Sequence, residues 1–424
     1  MKVLLSAYYC LPSEGSESAI GWNWAREIAS CGHQVFVITR AANRNAIETA
    51  LSQEPIPGVQ FLFHDLSRPF RAFAHLPVGS YLYYLIWQVT AAKAAQRTHS
   101  SERFDLVQHI TMANFRFPTF MWKLGVPLIF GPVGGGEDTP KKLRRGLGLK
   151  GRLWDFARRS LNLIVDCGLM NSTYDHSTQI VVTTSETLRE IPFSYRPKSK
   201  IQQAVGINSI GPHSSPKHTS TIPLTPRTKL NLIFAGRLLP WKGLHLGLKA
   251  LAALGSEIRD VHLTVVGSGS DEPRLRRLTK RLGIEQSLTW VPWMDRRDLI
   301  QSYSQSNLFL FPSLHDSGGM VVLEALSLGI PVLCLDLGGP AMSVNESCGR
   351  VIPTDNRTEK QVVEQIAACI SALVSDRTAL DLLSNGARNR VASLTWQAVV
   401  AQTYGSFAGL NHSTNLTAAA LDRN

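Results

Sequence analysis

The nearest candidates for a membrane span in this 424-residue chain, 81–89 (YLYYLIWQV) and 161–165, are both too short. A helix that crosses a bilayer needs ~18 or more consecutive apolar residues, so no spanning segment is expected. Cysteine is scarce too: Cys10, Cys31, Cys167, Cys334, Cys348 and Cys369 lie scattered, with no CxxC pair. That pattern excludes a disulfide framework and a cysteine metal site, and it fits buried thiols in a reducing, cytoplasmic compartment. The N-terminus makes a poor secretory signal, because Glu14 and Glu17 follow a short apolar run with no small-residue cleavage site between. Residues 2–7 read better as a first buried strand. In a cytoplasmic chain the sequons at Asn171, Asn411 and Asn415 carry no weight. GxxxxGK[ST] is missing, the loop VVGSGSDEPRL does not complete GxGxxG, and no His, Cys and carboxylate spacing suggests a metal, so neither a metal nor a resident cofactor is expected.

Charged residues are 18% of the chain, yet their balance is lopsided, with a formal net charge of +12 and a pI near 9.6. An anionic partner follows: nucleic acid, a phosphorylated substrate or an anionic membrane. Nucleic acid is the weakest of these, for want of a recognised module and of aromatics interleaved along a basic groove.

The length suits two domains. Short apolar runs at 3–7, 34–39, 59–63, 105–109, 126–130 and 179–183 alternate with helical patterns, beginning with a helix at 20–30. Continuous apolar strands separated by helices predict a parallel sheet covered on both faces. From 207 to 228 Pro, Ser, Thr and Gly replace that periodicity, as in a linker. The theme then restarts at 230–235, 261–266, 288–291, 308–311 and 332–335. The fold class is therefore α/β: two Rossmann-like, doubly wound domains at 1–206 and 229–394, joined by 207–228. Ligands of such domains sit at the carboxyl ends of the strands, facing a cleft. A helix at about 395–410 either caps the second domain or packs back on the first.

The richest cluster is FPSLHDSGGMVVLEALSLGIPV, 311–332. A strand ends, a loop carries His315, Asp316, Ser317, Gly318 and Gly319, and a helix starts near Met320. Glycines at a helix start let backbone N–H groups approach a phosphate or sugar oxygen. Asp316 and Glu324 stand eight residues apart, so a loop carboxylate and a helix carboxylate can address one ligand. Asp316 alone serves equally well as a helix cap and Glu324 as a solvated residue, but a carboxylate inside VVLEAL favours a hydroxyl-rich ligand. In FAGRLLPWKG, Arg237 and Lys242 straddle a turn after a strand, which suits a diphosphate clamp. The loop VVGSGSDEPRL adds Gly267 and Gly269, a weak signal by itself.

The succession GR…KG, VVGSG and PS…DSGGMVVLEALSLGIPV resembles the retaining glycosyltransferases of the GT-B fold, family 4, the group 1 glycosyltransferases. Their Glu-x7-Glu motif stands here as Asp316-x7-Glu324, one methylene shorter at its first carboxylate. The resemblance implies a nucleotide-diphosphate sugar as donor and two Rossmann-like domains with a cleft between them. Arg237 and Lys242 would stabilise the departing diphosphate, and Glu324 would bind the ribose. Asp316 with Ser317, Gly318, Gly319, Met320 and Val321 would orient the sugar, and the base would lie near Trp293 and Met294. His109, ending DLVQH, stands where the family carries a histidine near the donor sugar, although a histidine at a strand end is by itself more often structural. Gly15 and Ser16 resemble the glycine-bearing loop that approaches the donor phosphates, with Ser16 equally readable as a helix cap. The first domain would bind the acceptor, a glycan or a lipid-linked hydroxyl, with Glu17, Asn114, Arg116 and Glu137 as candidate ligands. Retention of anomeric configuration is implied by the resemblance. The absence of any D-x-D triplet removes the metal and diphosphate handle of the other major glycosyltransferase fold, so the cations take the place of a metal.

One more segment stands out. KKLRRGLGLKGRLWDFARR, 141–159, sets eight cations against Asp155 and interleaves leucines, Trp154 and Phe156. It suits peripheral contact with an anionic membrane, and a solvated helix face or a phosphate-rich acceptor site nearly as well. A sugar-nucleotide epimerase of similar fold and a catalytically inactive nucleotide-binding scaffold are the competing functions. The first needs carboxylates and a histidine for proton transfer in place of an acceptor pocket. The second is favoured if His109 or Asp316 points away from the ligand.

Overall fold

The computed structural model of the protein describes residues 1–12, 15, 17–67, 70, 79–160, 168–208, 229–294 and 296–405. Ser16, Cys167, the run 161–165, most of the expected linker and the sequons at Asn411 and Asn415 lie outside the described residues.

Two compact units divide the chain, the first formed by residues 1–136, 161–206 and 396–424. Its strands are β1 (Lys2–Ser6), β2 (Gln34–Arg40), β3 (Val59–His64), β4 (Leu106–His109), β5 (Leu128–Val133), β6 (Gln179–Val182) and β7 (Ser199–Ile201). They form one parallel sheet in the order β3-β2-β1-β4-β5-β6-β7. Central strands covered on both faces must be apolar throughout, and Val3, Leu4, Leu5, Val35, Val37 and Val107 are fully buried. Helix α1 (Glu17–Ser30) follows β1, and α2 (Arg44–Gln53) follows β2. The apolar run 81–89 belongs to α3 (Gly79–Glu102), which packs Tyr83, Tyr84, Trp87, Ala91 and Ala95 against Leu4, Phe36 and Val107 at helical spacing. The helical residues 396–405 join this unit: Gln202 Nε2 donates to Val399 O at 2.8 Å, and Tyr404 OH to Gln108 Oε1 at 2.7 Å.

The second unit comprises residues 137–160 and 207–395. Its strands are β8 (Leu230–Ala235), β9 (Val261–Val266), β10 (Leu288–Val291), β11 (Leu308–Phe311), β12 (Val332–Leu335) and β13 (Gly349–Ile352). They pair in parallel in the order β10-β9-β8-β11-β12-β13. The sequence reading misses β7 (SKI) and β13 (GRVI), both at sheet edges, where a strand needs less apolar surface and tolerates polar residues.

The unit boundaries depart from the expected 1–206 and 229–394 at one segment. Residues 137–160, with a 3-10 turn at Lys141–Leu147 and helix α4 (Gly148–Ser160), group with the second unit. Arg274 Nη1 donates to Gly146 O at 2.8 Å, and Lys142 Nζ to Asn356 O at 2.6 Å. Trp154 stacks on Trp241 with ring centroids 3.9 Å apart. A basic, sparsely apolar segment carries no sequence signal for the core on which it will pack.

In each sheet the strand order reverses beside the first strand of the unit, between β1 and β4 and between β8 and β11. Loops leaving neighbouring strands diverge at such a point and leave a crevice at their carboxyl ends.

Candidate functional site

In the second unit the crevice is built by the loops after β8 and β11. Chain leaving β8 runs through Gly236 and Arg237 to a 3-10 turn, Pro240–Lys242, and enters α5 (Leu244–Ala253) through Gly243. Chain leaving β11 runs from Pro312 to Gly319 and enters α6 (Met320–Ser327). Backbone bonds stitch the loops together, with Leu314 N donating to Trp241 O at 2.8 Å. Gly243 adopts φ +68°, and a Cβ there would lie 1.8 Å from Pro312 O, so only glycine lets the two loops approach. From the other side Gly339 N donates to Asp316 O at 2.9 Å.

These supports fix two charged side chains. The Lys242 ammonium donates to Asp316 Oδ2, and both side chains are about five-sixths buried (17% and 16% exposed). Asp316 Oδ1 accepts from Gly318 N at 3.1 Å and from Gly319 N at 2.8 Å. Burial alone would raise the carboxyl pKa. The Lys242 charge, its hydrogen bond and the two amides outweigh burial and hold it below the usual carboxylate value. Asp316 thus pins the turn before α6 and serves as counter-ion to Lys242 at once. The loop also bonds outward, as Ser317 Oγ donates to Glu137 Oε2 at 2.8 Å. Glu137, almost fully buried, therefore sits within the second unit beside Ser317 and not with the acceptor candidates of the first.

Arg237 is exposed and makes no ion pair among the described residues. Gly267 belongs to the same edge: a Cβ on it would meet Gly236 O at 2.0 Å, and one on Gly269 would meet Leu238 O at 2.3 Å. Gly318, Met320, Val321 and Glu324 are half-buried and Gly319 is buried. Glu324 lies near the buried Tyr303, whose phenol is driven well up by burial and then by the Glu324 charge. Trp293 is 79% exposed, and Met294 is half-buried and its Sδ accepts from the Ser302 hydroxyl, Oγ to Sδ 3.6 Å.

Sequence reasoning named His315 and Trp154 without giving them a place in this site, and passed over Trp241. His315 is held neutral, its pKa lowered to about 4 by burial and then by the Arg158 charge, and its Nε2 is buried without a hydrogen bond. Trp154 meets it edge-on at 5.8 Å, and Trp241 backs Trp154. The adjacency of Trp241 to Lys242 in PWKG was the only available signal.

In the first unit the singled-out residues mostly serve the loops. Gly15 is exposed with open space around it. Glu17, whose pKa is raised by burial, accepts from Ala113 N at 2.7 Å and pins the turn after β4. Asn114 Oδ1 takes both the backbone N–H and Nη1 of Arg116, at 3.1 and 3.2 Å. Arg116 Nη2 donates to Gly135 O at 2.7 Å, which ties down the glycine run. His109 is fully buried, stacked on Phe130, with Nε2 3.3 Å from Tyr84 OH and Nδ1 without a partner. Burial lowers its pKa to about 3, so the ring is neutral.

Among the described residues no group of three His, Cys, Asp or Glu side chains stands together as metal ligands, and no helix is long and apolar enough to cross a membrane.

The chain is similar to known proteins in sequence and in fold. The family model for glycosyl transferases group 1 matches residues 219–390, and that for a glycosyl transferase 4-like domain matches 16–203. The chain is 26% identical to the D-inositol 3-phosphate glycosyltransferase of Saccharomonospora viridis over 415 residues, 91% of this chain and 88% of that one. Among solved structures, sucrose-phosphate synthase from Thermosynechococcus elongatus superposes with a TM-score of 0.63 at 16% identity, covering 97% of this chain and 99% of that one. Anabaena HepE, solved in complex with UDP, superposes with a TM-score of 0.60 at 14% identity, covering 96% and 99%. Both units, with their parallel sheets, have the GT-B architecture, and the chain belongs to the group 1 glycosyltransferases.

Proposed function

We propose that this glycosyltransferase moves a sugar from a nucleotide-diphosphate donor to a hydroxyl of a glycan or lipid-linked acceptor, with retention of anomeric configuration and without a metal ion. One observation carries the reading: Lys242, at the end of β8, is held against Asp316, at the end of β11, where the strand order reverses. Breaking the bond between the sugar's anomeric carbon and the diphosphate leaves negative charge on phosphate. Lys242 and the exposed Arg237 are the cations placed to stabilise that charge as it develops. Drawing Lys242 toward phosphate frees Asp316 to accept from sugar hydroxyls, and Glu324 accepts from the ribose.

Attack by the acceptor hydroxyl on the face the diphosphate leaves, through an oxocarbenium-like state, retains configuration. The hydroxyl's proton then passes to the departing phosphate oxygen. The HepE complex with UDP supports this choice of donor class. Contact with an anionic membrane belongs to the same reading, motivated by the net charge of +12 and the basic run 141–159.

The test is thermal stabilisation by UDP, GDP, ADP and their sugars, with and without EDTA, for wild type and Lys242→Ala. A shift of several degrees with one nucleotide, insensitive to EDTA and lost in the variant, supports the donor site. No shift with any of them sinks it. The complete burial of His109 favours a second reading, a nucleotide-binding chain without turnover. Formation of a glycoside, with its anomeric configuration read by NMR, decides between the two.

A further inference from the structure

Helix α4 has two faces with different business. Gly151 and Asp155 are buried against the second unit. Arg144 and Arg158 hold Asp155 at 3.4 and 3.9 Å, and Arg144 and Arg159 hold Asp138 at 2.7 and 3.5 Å. On the opposite face Leu149, Leu153 and Phe156 are 82%, 67% and 70% exposed. Their spacing of four and three residues puts them in one stripe. Exposed cations flank it, Lys150 on one side and Arg152 and Arg159 on the other, with Arg145 just before the helix. Among the described residues nothing covers these three large apolar side chains on a helix pinned by its other face. The charge around them selects an anionic surface, and the flat stripe selects lipid.

Trp154 links this face to the site. It leaves the helix between the exposed stripe and the buried face, stacks on Trp241, and meets His315 edge-on. Trp241 directly precedes Lys242, and His315 directly precedes Asp316, the two partners of the donor-side ion pair.

Resting on the reading of that pair as the donor site, we propose that α4 inserts Leu149, Leu153 and Phe156 into an anionic lipid surface and, through Trp154 on Trp241, makes donor affinity depend on that docking. The acceptor would then be met where the lipid is.

The experiment uses the full chain and vesicles of phosphatidylcholine alone or mixed equally with phosphatidylglycerol. Wild type is expected to sediment with the mixed vesicles only, less so at high salt. The Leu149→Ser/Leu153→Ser/Phe156→Ser variant is expected to lose about tenfold or more in partitioning, while keeping its melting temperature because the three side chains are exposed. The nucleoside diphosphate that stabilises the free protein is expected to bind severalfold tighter with mixed vesicles present, in wild type but in neither the triple variant nor Trp154→Ala. Wild type that ignores mixed vesicles, or a triple variant that binds them fully, overturns lipid docking. So does a dimer in solution that the triple variant abolishes, since a second copy would then own the face. Vesicle binding with unchanged nucleotide affinity overturns the coupling. Sedimentation needs no nucleotide, so failure of the donor-site reading shows separately, as absence of any nucleotide binding without vesicles.

Discussion

The Lys242 ammonium donates to Oδ2 of Asp316, joining the loop after β8 to the loop after β11. Without ligand, the cation proposed to meet the donor diphosphate is thus already neutralised and aimed, and a phosphate has only to replace a carboxylate.

Arg237 and Lys242 should therefore separate under mutation. Arg237 is exposed and makes no ion pair among the described residues, so Arg237→Ala should leave stability within about 0.5 kcal/mol while weakening donor binding. Lys242→Ala should abolish the nucleotide-induced melting shift, lower kcat/KM by about 100-fold or more, and also destabilise the free protein by stranding Asp316. Equal loss of stability in both variants would contradict the assignment.

Acid should uncouple the pair. The folded pKa of Asp316 lies below its ordinary value of 3.8. Its stabilisation is therefore complete above that pH and drains away as pH falls through the lower folded value. Asp316→Asn should cost about 2 kcal/mol at pH 7. The gap to wild type should narrow below pH 3.8 in urea titrations run at descending pH.

His109 acts in a less acidic range. Its folded pKa is lowered from 6.5 to about 3, so between those values the unfolded chain binds a proton that the folded chain refuses. Stability should fall with falling pH there by about 1.4 kcal/mol per unit on account of this residue. His109→Gln should remove one proton from the slope measured between pH 6 and 4.5. An unchanged slope would mean that the ring reaches water.

Gly243 offers a steric test. Gly243→Ala places a methyl group 1.8 Å from Pro312 O at φ +68° and should cost about 3 kcal/mol, with donor affinity falling as Lys242 moves. Gly255 has a similar φ, +59°, but open space around it, so Gly255→Ala should cost only about 1 kcal/mol. Similar losses in the two variants would remove the argument for close loop approach.

The sequence by itself determined the alternation of apolar strands and helices, hence two parallel sheets, because strands covered on both faces can be nothing but apolar. It also placed Arg237, Lys242 and Asp316 at strand ends, where glycines mark a chain that must turn and come close to its neighbours. Edge strands such as GRVI escaped it, since one free edge relaxes the demand for apolar residues.

Only the tertiary structure decided which loop meets which. Lys242 and Asp316 are 74 residues apart, and no local pattern announces their bond. Glu137 and α4 were expected with the first domain by position in the chain, yet they pack on the second unit, where Gly146, Trp154 and Asp155 find their partners. His109 was placed near the donor sugar by family resemblance, a strand-end histidine by itself being more often structural, and packing against Tyr84 and Phe130 makes it a buried neutral ring. Periodicity reports how each segment meets water. Which buried surface it meets depends on shape and on hydrogen bonds formed between segments far apart in the chain.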